Sequence, residues 1–410
     1  MIVVGAGPAG LTAAIFAARS GAQVTLLEAM EKPGKKLLLT GNGRCNLSNT
    51  HPELSSQYHG SAGGLAARIT AKFPCPEVRL FFQTLGLLTQ EKNGYVYPYT
   101  AQSSSVLTVL LAEVQRLCIK LKLGEKITGI VPEQGENAWC VQTKTWQYHG
   151  DAVILACGSC AAPATGSDGS GYTLAETLGI RIVRPQPALT PLICQAPFLS
   201  AAAGVRCRAS VSLLREGVPF CRESGELQWT KYGVSGIVVF QLSRFVSCAS
   251  RKDHLSLEID LLPDYTEHEI CQTLLVRACE LGSQKLHALL SGMISERLIP
   301  VLLKYAGKMF DGLSCQDLTA LHAEVLMRTF KHLQLPVIGT KSFDVAQVCA
   351  GGIDAGELTE TLESRRYPGL YFAGELIDVD GPCGGYNLHW AWASGREAGL
   401  SAACAEPKAV

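Results

Sequence analysis

The sequence predicts an α/β fold in which both ends of the chain build a discontinuous parallel-sheet domain, with an inserted β module that has a helical subdomain. Three observations predict it. Residues 1–28 run as an apolar strand, an Ala-rich helix and a second apolar strand. Residues 151–158 and 369–375 are apolar runs typical of parallel strands buried on both faces. Residues 206–236 alternate apolar and polar side chains, as short antiparallel strands do.

Changes in this pattern along the chain give the expected domain boundaries. The parallel-sheet domain is predicted to comprise residues 1–187 and 341–410. The insertion is predicted to comprise residues 188–340. Within it, long helical patterns predict the helical subdomain at about residues 265–332.

Length, charge and cysteine content exclude several classes of protein. The 410 residues are enough for roughly two or three domains. Lys+Arg and Asp+Glu both total 36, and this balance predicts binding to neither nucleic acid nor a membrane surface. We find no signal peptide and no apolar run of the roughly 18 residues that a span requires, so we expect a cytoplasmic protein. The 16 scattered cysteines are interpreted as reduced thiols.

The first 28 residues match the Rossmann-like dinucleotide-binding pattern of strand, G-x-G-x-x-G, helix and second strand. Gly5 permits the tight turn, Gly7 lets a pyrophosphate approach the backbone, and Gly10 allows close packing of helix on strand. Glu28 ends the second strand, where a carboxylate can accept hydrogen bonds from ribose hydroxyls. The alternative is a glycine-rich turn in an ordinary βαβ unit. The predicted cofactor loop comprises Gly5, Ala6, Gly7, Pro8, Ala9 and Gly10.

A second glycine-rich segment follows at residues 32–49, "KPGKKLLLTGNGRCNLSN". Lys35 and Lys36 are placed to reach the ribose or the phosphates of a dinucleotide. Glycines and small polar donors suit a backbone that lies against a flat ligand or a diphosphate, although a solvated surface loop is the alternative. The candidate binding residues of this loop are Gly41, Asn42, Gly43, Arg44, Cys45 and Asn46.

These motifs, together with "GLYFAGELIDVDGPCGGYNLHWAWASG" near the C-terminus, resemble a known family. It is the family of FAD-binding, NAD(P)/FAD-dependent oxidoreductases that includes aminoacetone oxidases and bile-acid 3-dehydro-Δ4,6-steroid reductases. The resemblance covers both ends of the chain and some of the middle. It implies a glutathione-reductase-like domain that binds FAD non-covalently, and it is much less specific for the substrate.

The segment between the two signatures fits the same domain. Residues 103–118 have helical periodicity after a serine cap, residues 126–149 predict short strands, and residues 151–158 predict a returning parallel strand. By the resemblance, the backbone near Ile127 is a candidate adenine contact. The resemblance also places a turn that approaches the cofactor after the parallel strand, at Ala156, Cys157 and Gly158.

The C-terminal signature predicts the flavin end of the site. In this family an acidic residue after the strand binds the ribityl chain or a phosphate-bound water, and Glu375, Asp378 and Asp380 are candidates. A glycine doublet then opens a helix whose N-terminus would point at the pyrimidine edge of the flavin. We interpret the doublet as backbone that touches the ring; a helix cap without a ligand is the alternative. The remaining candidates are Gly374, Gly384, Gly385, Tyr386, Asn387 and Leu388.

Other reactive side chains give weaker signals. Cys157 and Cys160 form the only C-x-x-C, but they follow a strand instead of opening a helix, so packed thiols are favoured over a redox dithiol. His389 stands where the family more often has Gln, and a satisfied helix-face histidine is the default interpretation. The nine histidines show no metal-ligand spacing, and no metal is predicted.

No second strand–GxGxxG–helix unit is present in the sequence, so NAD(P)H is expected to dock only transiently as electron donor. The open flavin face is expected to look toward the inserted module and to accept a small apolar substrate. In a glycine-hinged loop at residues 230–236, Tyr232 is a candidate proton donor, and packing of a glycine turn is its alternative role.

Amine oxidation with O₂ is the competing enzyme hypothesis. An RNA-modifying or non-catalytic flavin protein is the hypothesis from another class.

Overall fold

The computed structural model describes four stretches of the chain, residues 1–51, 54–133, 139–250 and 253–404. The chain divides into two compact units. The first unit comprises Met1–Pro187 and Phe343–Val410, and the second comprises Ala188–Ser342.

Nineteen strands are named in the described residues. They are β1 (Ile2–Val4), β2 (Thr25–Glu28), β3 (Ser48–Asn49), β4 (Thr89–Lys92), β5 (Tyr95–Pro98), β6 (Lys120–Leu123), β7 (Ile127–Pro132), β8 (Trp139–Thr143), β9 (Gln147–Gly150), β10 (Val153–Leu155), β11 (Ile182–Ala188), β12 (Leu192–Cys194), β13 (Arg206–Arg215), β14 (Val218–Thr230), β15 (Gly233–Ser235), β16 (Leu255–Asp260), β17 (Leu333–Thr340), β18 (Val348–Ile353) and β19 (Leu370–Phe372).

The α-helices of the described stretches are α1 (Pro8–Arg19), α2 (Lys35–Leu39), α3 (Gly63–Lys72), α4 (Cys75–Thr84), α5 (Ser103–Arg116), α6 (Ser170–Thr177), α7 (Leu199–Ala202), α8 (Ile237–Ser247), α9 (Glu267–Leu281), α10 (Leu286–Leu290), α11 (Ile299–Ala306), α12 (Ala320–Lys331) and α13 (Tyr386–Cys404). None of them combines the length and the apolar character that crossing a membrane requires.

A five-stranded parallel sheet forms the centre of the first unit, in the order β19-β10-β1-β2-β6. Ile2 lies between Thr25 and Val153, and Val153 in turn pairs with Leu370. The apolar strands β1, β10 and β19 are buried along their whole length, as strands of a parallel sheet covered by helices on both faces are. The predicted α/β class with a parallel sheet is confirmed.

Close packing of α13 on α1 brings the two ends of the sequence together. A Cβ built on Gly395 would lie 2.3 Å from the carbonyl oxygen of Ala9, and one on Gly399 would lie 2.4 Å from that of Ala13. Only glycine allows two helix backbones to approach this closely, as in small-residue helix contacts generally. This packing sets the middle of α13 against the first turns of α1, directly after the N-terminal glycine loop.

Two small antiparallel sheets flank the central sheet, β3-β5-β4 and β7-β8-β9. The second forms the predicted strands of residues 126–149, of which residues 134–138 lie outside the described part. The helix predicted at residues 103–118 is α5, but it has no serine cap. Its N-cap is Gln102 without a side-chain hydrogen bond, and the Ser103 hydroxyl instead donates to the carbonyl oxygen of Leu38 at 2.8 Å.

The second unit is a closed six-stranded barrel, β12-β15-β14-β13-β16-β17, with α9–α12 between β16 and β17 in the chain. The prediction of a glycine-hinged loop at residues 230–236 is wrong, because Thr230 ends β14 and Gly233–Ser235 form β15, which leaves a two-residue hairpin turn between them. A Cβ on Gly233 would lie 2.3 Å from the carbonyl oxygen of Leu192 on the paired strand β12. Gly233 is therefore required by close strand pairing and is no hinge.

Candidate functional site

The N-terminal loop contains three glycines with two different roles. A Cβ on Gly5, which has a φ of +100°, would lie 2.5 Å from the carbonyl oxygen of Ala156. A Cβ on Gly10 would collide with the carbonyl oxygen of Gly5. A Cβ on Gly7 would meet nothing within 4 Å. Gly5 and Gly10 thus allow the turn and the helix to pack on the sheet, whereas Gly7 borders open space at the N-terminus of α1.

Glu28 is held at the end of β2 by two backbone donors. Its Oε2 accepts a hydrogen bond from the N–H of Ala6 at 2.8 Å, and its Oε1 accepts one from the N–H of Met30 at 2.8 Å. Each carboxylate oxygen keeps acceptor capacity beyond one bond. The carboxylate is therefore oriented beside the glycine loop and can still accept from hydroxyl groups, so ribose binding by Glu28 stays a prediction.

A polar cluster joins the second glycine-rich segment to the C-terminal signature. The Nζ of Lys36 lies 2.5 Å from Oε2 of Glu375, and the Ser159 hydroxyl donates to the same oxygen at 2.9 Å. Lys35 and Lys36 were expected near the ribose or phosphates. The structure gives Lys36 a protein partner, but an ammonium group has three donors, so it can also contact an anion. Lys35 is half-buried in the same helix, α2.

The loop of residues 41–46 is strained in several places. Asn42 and Cys45 have φ values of +55° and +59°. Burial raises the pKa of the Cys45 thiol to about 12, so this side chain is a packed thiol and not a nucleophile. Arg44 lies with its guanidinium 5.4 Å from the centre of the Tyr97 ring. The Oδ1 of Asn46 is buried without a hydrogen-bond partner. A buried acceptor of this kind is costly unless a ligand donates to it.

The glycine doublet before α13 packs against protein atoms. Gly384 and Gly385 have φ values of +122° and +97°. A Cβ on Gly385 would lie 2.6 Å from the carbonyl oxygen of Ser48, and one on Gly384 would lie 2.8 Å from the ring of Tyr95. Close approach to Ser48 and Tyr95 already requires both glycines, and contact of their backbone with a flavin ring stays a prediction.

The residues around the doublet are tied into the same turn. Asn387 accepts from the N–H of Gly381 at 2.9 Å and donates to its carbonyl oxygen at 2.8 Å. The carbonyl oxygen of Tyr386 accepts from the Tyr58 hydroxyl at 2.9 Å, and Leu388 packs partly buried against the core. These bonds fix the direction in which the first turn of α13 points.

The two aspartates of the C-terminal signature hold loops together. Asp378 is buried, and its Oδ2 and Oδ1 accept from the N–H groups of Ser61 at 2.7 Å and Gly351 at 2.8 Å. Asp380 is buried as well and pairs through its backbone with His59. Both carboxylate oxygens of Asp378 are thus engaged with the protein. Of the three candidate acids, Glu375 accepts hydrogen bonds from Lys36 and from the Ser159 hydroxyl at one carboxylate oxygen.

His389 is a buried residue of α13. Its Nδ1 lies 2.7 Å from the Ser48 hydroxyl oxygen. Burial lowers the pKa of the imidazole to about 4, so His389 is neutral near pH 7. The default interpretation of a satisfied helix-face histidine therefore holds at Nδ1 only, because Nε2 is buried without a hydrogen-bond partner.

The turn after β10 differs from a redox C-x-x-C. The N–H of Ala156 donates to the carbonyl oxygen of Val4 at 2.8 Å, and Gly158 has a φ of +77°. Burial raises the pKa of Cys157 to about 12, which disfavours its thiolate. Cys160 has a different cysteine, Cys349, as its hydrogen-bond partner. Ile127, the candidate adenine contact, is buried at the start of β7.

One cluster of possible metal ligands exists among the residues that the structure describes: Glu133, Cys140 and His149, whose ligand atoms all lie within 4.8 Å of one another. The Nδ1 of His149 lies 2.8 Å from a carboxylate oxygen of Glu133. Cys140 and His149 are paired across β8 and β9. Strand pairing brings these three side chains together, and a search of the sequence for histidine spacing motifs could not find such a cluster.

Tyr232 belongs to the second unit and precedes β15. Its carbonyl oxygen accepts from the N–H of Cys194 at 3.0 Å, and the Nζ of Lys341 lies 4.1 Å from the centre of its half-buried ring. This is a cation–π contact. The tyrosine thus lies directly before Gly233, and both of its expected roles, proton donor and packing of a glycine turn, stay predictions.

The first unit fits a dinucleotide such as FAD. Open space at Gly7 beside the N-terminus of α1 suits a pyrophosphate, because free N–H groups and the helix dipole favour anions there. Glu28 offers acceptors for ribose hydroxyls and Lys36 offers a cation. The buried Oδ1 of Asn46 accepts no hydrogen bond from the protein, and a bound ligand could donate one.

Comparison with known proteins identifies relatives along the whole chain. The family model described as HI0933-like protein Rossmann domain matches residues 1–401. A 3-dehydro-bile acid delta(4,6)-reductase of Clostridium scindens is 38% identical over 405 residues, which cover 98% of this chain and 98% of the relative. A ribosomal RNA dihydrouridine synthase of Escherichia coli is 28% identical over 401 residues, covering 96% of this chain and 95% of the relative.

Solved structures agree with the fold. A 3-ketosteroid-Δ4-(5α)-dehydrogenase of Rhodococcus jostii superposes with a TM-score of 0.50 at 17% identity, covering 98% of this chain and 96% of the other. At this identity the likeness concerns the fold alone. The family resemblance predicted from the sequence motifs is confirmed by the match along nearly the whole chain. The chain belongs to the HI0933-like family of FAD-binding Rossmann-fold oxidoreductases.

Proposed function

We propose that the protein is an FAD-dependent reductase that adds hydrogen across a carbon–carbon double bond conjugated with a carbonyl group. The observation that supports this most directly is the 38% identity to a 3-dehydro-bile acid delta(4,6)-reductase along 98% of both chains. The proposed substrate is a small apolar molecule, such as a 3-oxo steroid or bile-acid intermediate with Δ4 or Δ6 double bonds. NAD(P)H is the proposed electron donor.

The two kinds of relatives support one reaction class. Dihydrouridine is uridine with two hydrogens added across the C5=C6 bond, which is conjugated with a carbonyl group. A Δ4 bond in a 3-oxo steroid is conjugated in the same way. A reductase name at 38% identity and a dihydrouridine synthase name at 28% identity therefore both point to an electron-poor double bond. This common feature favours reduction over amine oxidation.

The residues of the chain have distinct proposed tasks. Gly7 and the N-terminus of α1 would bind the pyrophosphate, and Glu28 would bind the adenosine ribose. Lys36 and Glu375 would contact the part of FAD between these two groups. Bound FAD, once reduced by NAD(P)H, would supply the hydride. Hydride addition to a conjugated ketone leaves an enolate, which needs a proton at the α-carbon. Tyr232 is the proposed donor, because a phenol is a neutral acid and adds no positive charge of its own to the site.

Anaerobic flavin spectroscopy tests the proposed reaction. We expect NADH or NADPH to bleach the absorbance of the oxidised flavin in the purified holoprotein, and a 3-oxo-Δ4 steroid added afterwards to restore it. Bleaching by a primary amine, with no response to either nicotinamide, would establish the oxidase instead. A flavin that none of these compounds reduces would support the non-catalytic alternative.

A second candidate substrate is a uridine in ribosomal RNA, and the 28% identity to the E. coli synthase over 96% of this chain favours it. The equal totals of 36 basic and 36 acidic residues argue against it, because phosphate contacts require clustered cations. Incubation of the reduced protein with unmodified ribosomal RNA, followed by nucleoside mass spectrometry, decides between the two. Dihydrouridine formed faster than the steroid is reduced would favour RNA.

A further inference from the structure

Two cysteines that are far apart in the sequence meet in the first unit. Cys160 follows β10, and Cys349 lies in β18. Their thiols are hydrogen-bonded to each other. Both belong to a small apolar cluster with Ala161, Ala346 and Phe343. The other members of that cluster are apolar, so within it each sulfur atom can react only with the other.

The surroundings give the two thiols different chemistry. Cys160 is half-buried, whereas Cys349 is only 3% exposed. The hydrogen bond with Cys349 lowers the pKa of Cys160, and the Lys36 ammonium acts in the same direction. The same hydrogen bond and burial raise the pKa of Cys349. Cys160 is thus the more accessible sulfur, whose lowered pKa favours the thiolate, and Cys349 is its buried partner.

We propose that Cys160 and Cys349 are a peroxide-sensitive pair that forms a reversible disulfide. First, the Cys160 thiolate attacks one oxygen of hydrogen peroxide; the O–O bond breaks, and the products are a sulfenic acid and hydroxide. The Cys349 sulfur then loses its proton and attacks the Cys160 sulfur, so the S–S bond forms and water leaves. The two sulfurs lose two electrons to the peroxide. A dithiol reductant reverses the step by exchange.

The position of the pair gives the disulfide two consequences. Cys160 precedes the second unit in the chain and Cys349 follows it, so the bond closes a covalent loop that contains all of Ala188–Ser342. Cys160 also neighbours Ser159, whose hydroxyl donates to Glu375 at 2.9 Å and hydrogen-bonds with Cys349. Oxidation therefore acts directly beside the Lys36–Glu375 pair.

Mass spectrometry of the full-length protein tests the pair. The holoprotein is treated with a few equivalents of hydrogen peroxide, free thiols are blocked with N-ethylmaleimide, and the protein is digested without reductant. We expect a cross-linked peptide joining Cys160 to Cys349 that dithiothreitol removes. On non-reducing gels the oxidised chain should migrate faster, because the closed loop makes the denatured chain more compact. Cys118→Ser, which changes an exposed cysteine, is the matched control and should leave the cross-link unchanged.

Single variants separate the two roles. In Cys349→Ser, oxidation should stop at the sulfenic acid, and dimedone should label Cys160 more strongly than in the parent. In Cys160→Ser, both the cross-link and this label should be lost. Circular dichroism identifies any variant that fails to fold, and the parent protein alone then decides by its cross-linked peptide. Absence of the Cys160–Cys349 peptide from the oxidised parent, or dimedone labelling of Cys160 that Cys349→Ser leaves unchanged, would overturn the proposal.

Discussion

The ammonium of Lys36 lies 2.5 Å from the carboxylate of Glu375, two residues that are 339 positions apart in the sequence. Their side chains are 23% and 20% exposed, so the ion pair is mostly shielded from water. It joins α2, from the N-terminal signature, to the turn that follows β19, from the C-terminal signature. The pair therefore stabilises the contact by which both ends of the chain form one candidate site.

We expect Lys36→Met to lower the free energy of unfolding of the FAD-free protein by about 1–2 kcal/mol, because Glu375 then stays partly buried with one donor fewer. Glu375→Gln should have an effect of similar size. The double variant should lose about 1 kcal/mol less free energy of unfolding than the sum of the losses in the two single variants. Urea unfolding of the four proteins measures this coupling.

The surface pair Arg68–Glu360 provides the control for this cycle, since its side chains are 56% and 67% exposed. Arg68→Met should change the free energy of unfolding by less than about 0.5 kcal/mol. Additive effects of Lys36→Met and Glu375→Gln would show that the two side chains do not stabilise each other.

Gly7→Val should abolish FAD binding while the protein still folds. The added side chain has room within the protein, since a Cβ at Gly7 meets nothing within 4 Å, and its φ of −82° is open to any residue. It would instead occupy the space proposed for the pyrophosphate. The fraction of protein that retains flavin after gel filtration measures binding, and circular dichroism measures folding.

Gly10→Val is the matched control for Gly7→Val, because its side chain collides with the carbonyl oxygen of Gly5. This variant should lose folding and flavin together. FAD binding by Gly7→Val at parental affinity would mean that the pyrophosphate lies elsewhere.

Local signals in the sequence predicted four of the five strands of the central sheet, and β6 was not among them. The strands β1, β2, β10 and β19 are short apolar runs next to glycines, and both features are visible within about ten residues. The glycine loop was predictable for the same reason, since turn, helix start and acidic strand end follow one another in the chain. The α/β class and the family were predictable from these local patterns.

Contacts between distant segments were not predictable from spacing. The Glu133–Cys140–His149 cluster arises from strand pairing, and the Cys160–Cys349 pair arises from the position of β18 in the fold. Glycines also proved ambiguous. The Gly384–Gly385 doublet signalled close approach correctly, but the sequence did not say that Ser48 and Tyr95 are what it approaches. A glycine in the sequence shows that a side chain is absent, but it does not identify the atoms that occupy the vacant space.

His389 should make the protein less stable in mild acid. Its pKa is about 4 in the folded state, below the ordinary value near 6.5, so the unfolded state binds the proton more tightly between these values. The stabilisation is fully present above about pH 6.5 and falls by about 1.4 kcal/mol per pH unit as the pH drops toward 4. In His389→Gln, which keeps a hydrogen-bonding side chain beside Ser48, this part of the slope should disappear.

Urea unfolding at several pH values between about 4 and 7 measures the slope of His389→Gln against the parent. His287→Gln, at an exposed histidine, should keep the parental slope. Equal slopes in the parent and in His389→Gln would show that His389 is not the group that titrates on unfolding.

Tyr232→Phe tests the proposed proton donor in isolation. Phenylalanine keeps the ring that contacts Lys341 at 4.1 Å and removes only the hydroxyl group, so the packing of the glycine turn should persist. We expect FAD binding and bleaching of the flavin by NAD(P)H at parental rates. Reoxidation of the flavin by the unsaturated ketone should slow by on the order of 10²-fold, because the enolate then takes its proton from water.

Stopped-flow absorbance separates these two half-reactions. Tyr265→Phe, which removes an exposed hydroxyl from the same unit, should match the parent in both. Slower bleaching by NAD(P)H in Tyr232→Phe would point to a disturbed cofactor site and not to a lost proton donor. If reoxidation by the ketone instead proceeds at the parental rate, the hydroxyl group delivers no proton in the rate-limiting step. Tyr232 then serves only to pack Gly233 and Lys341 at the edge of the barrel.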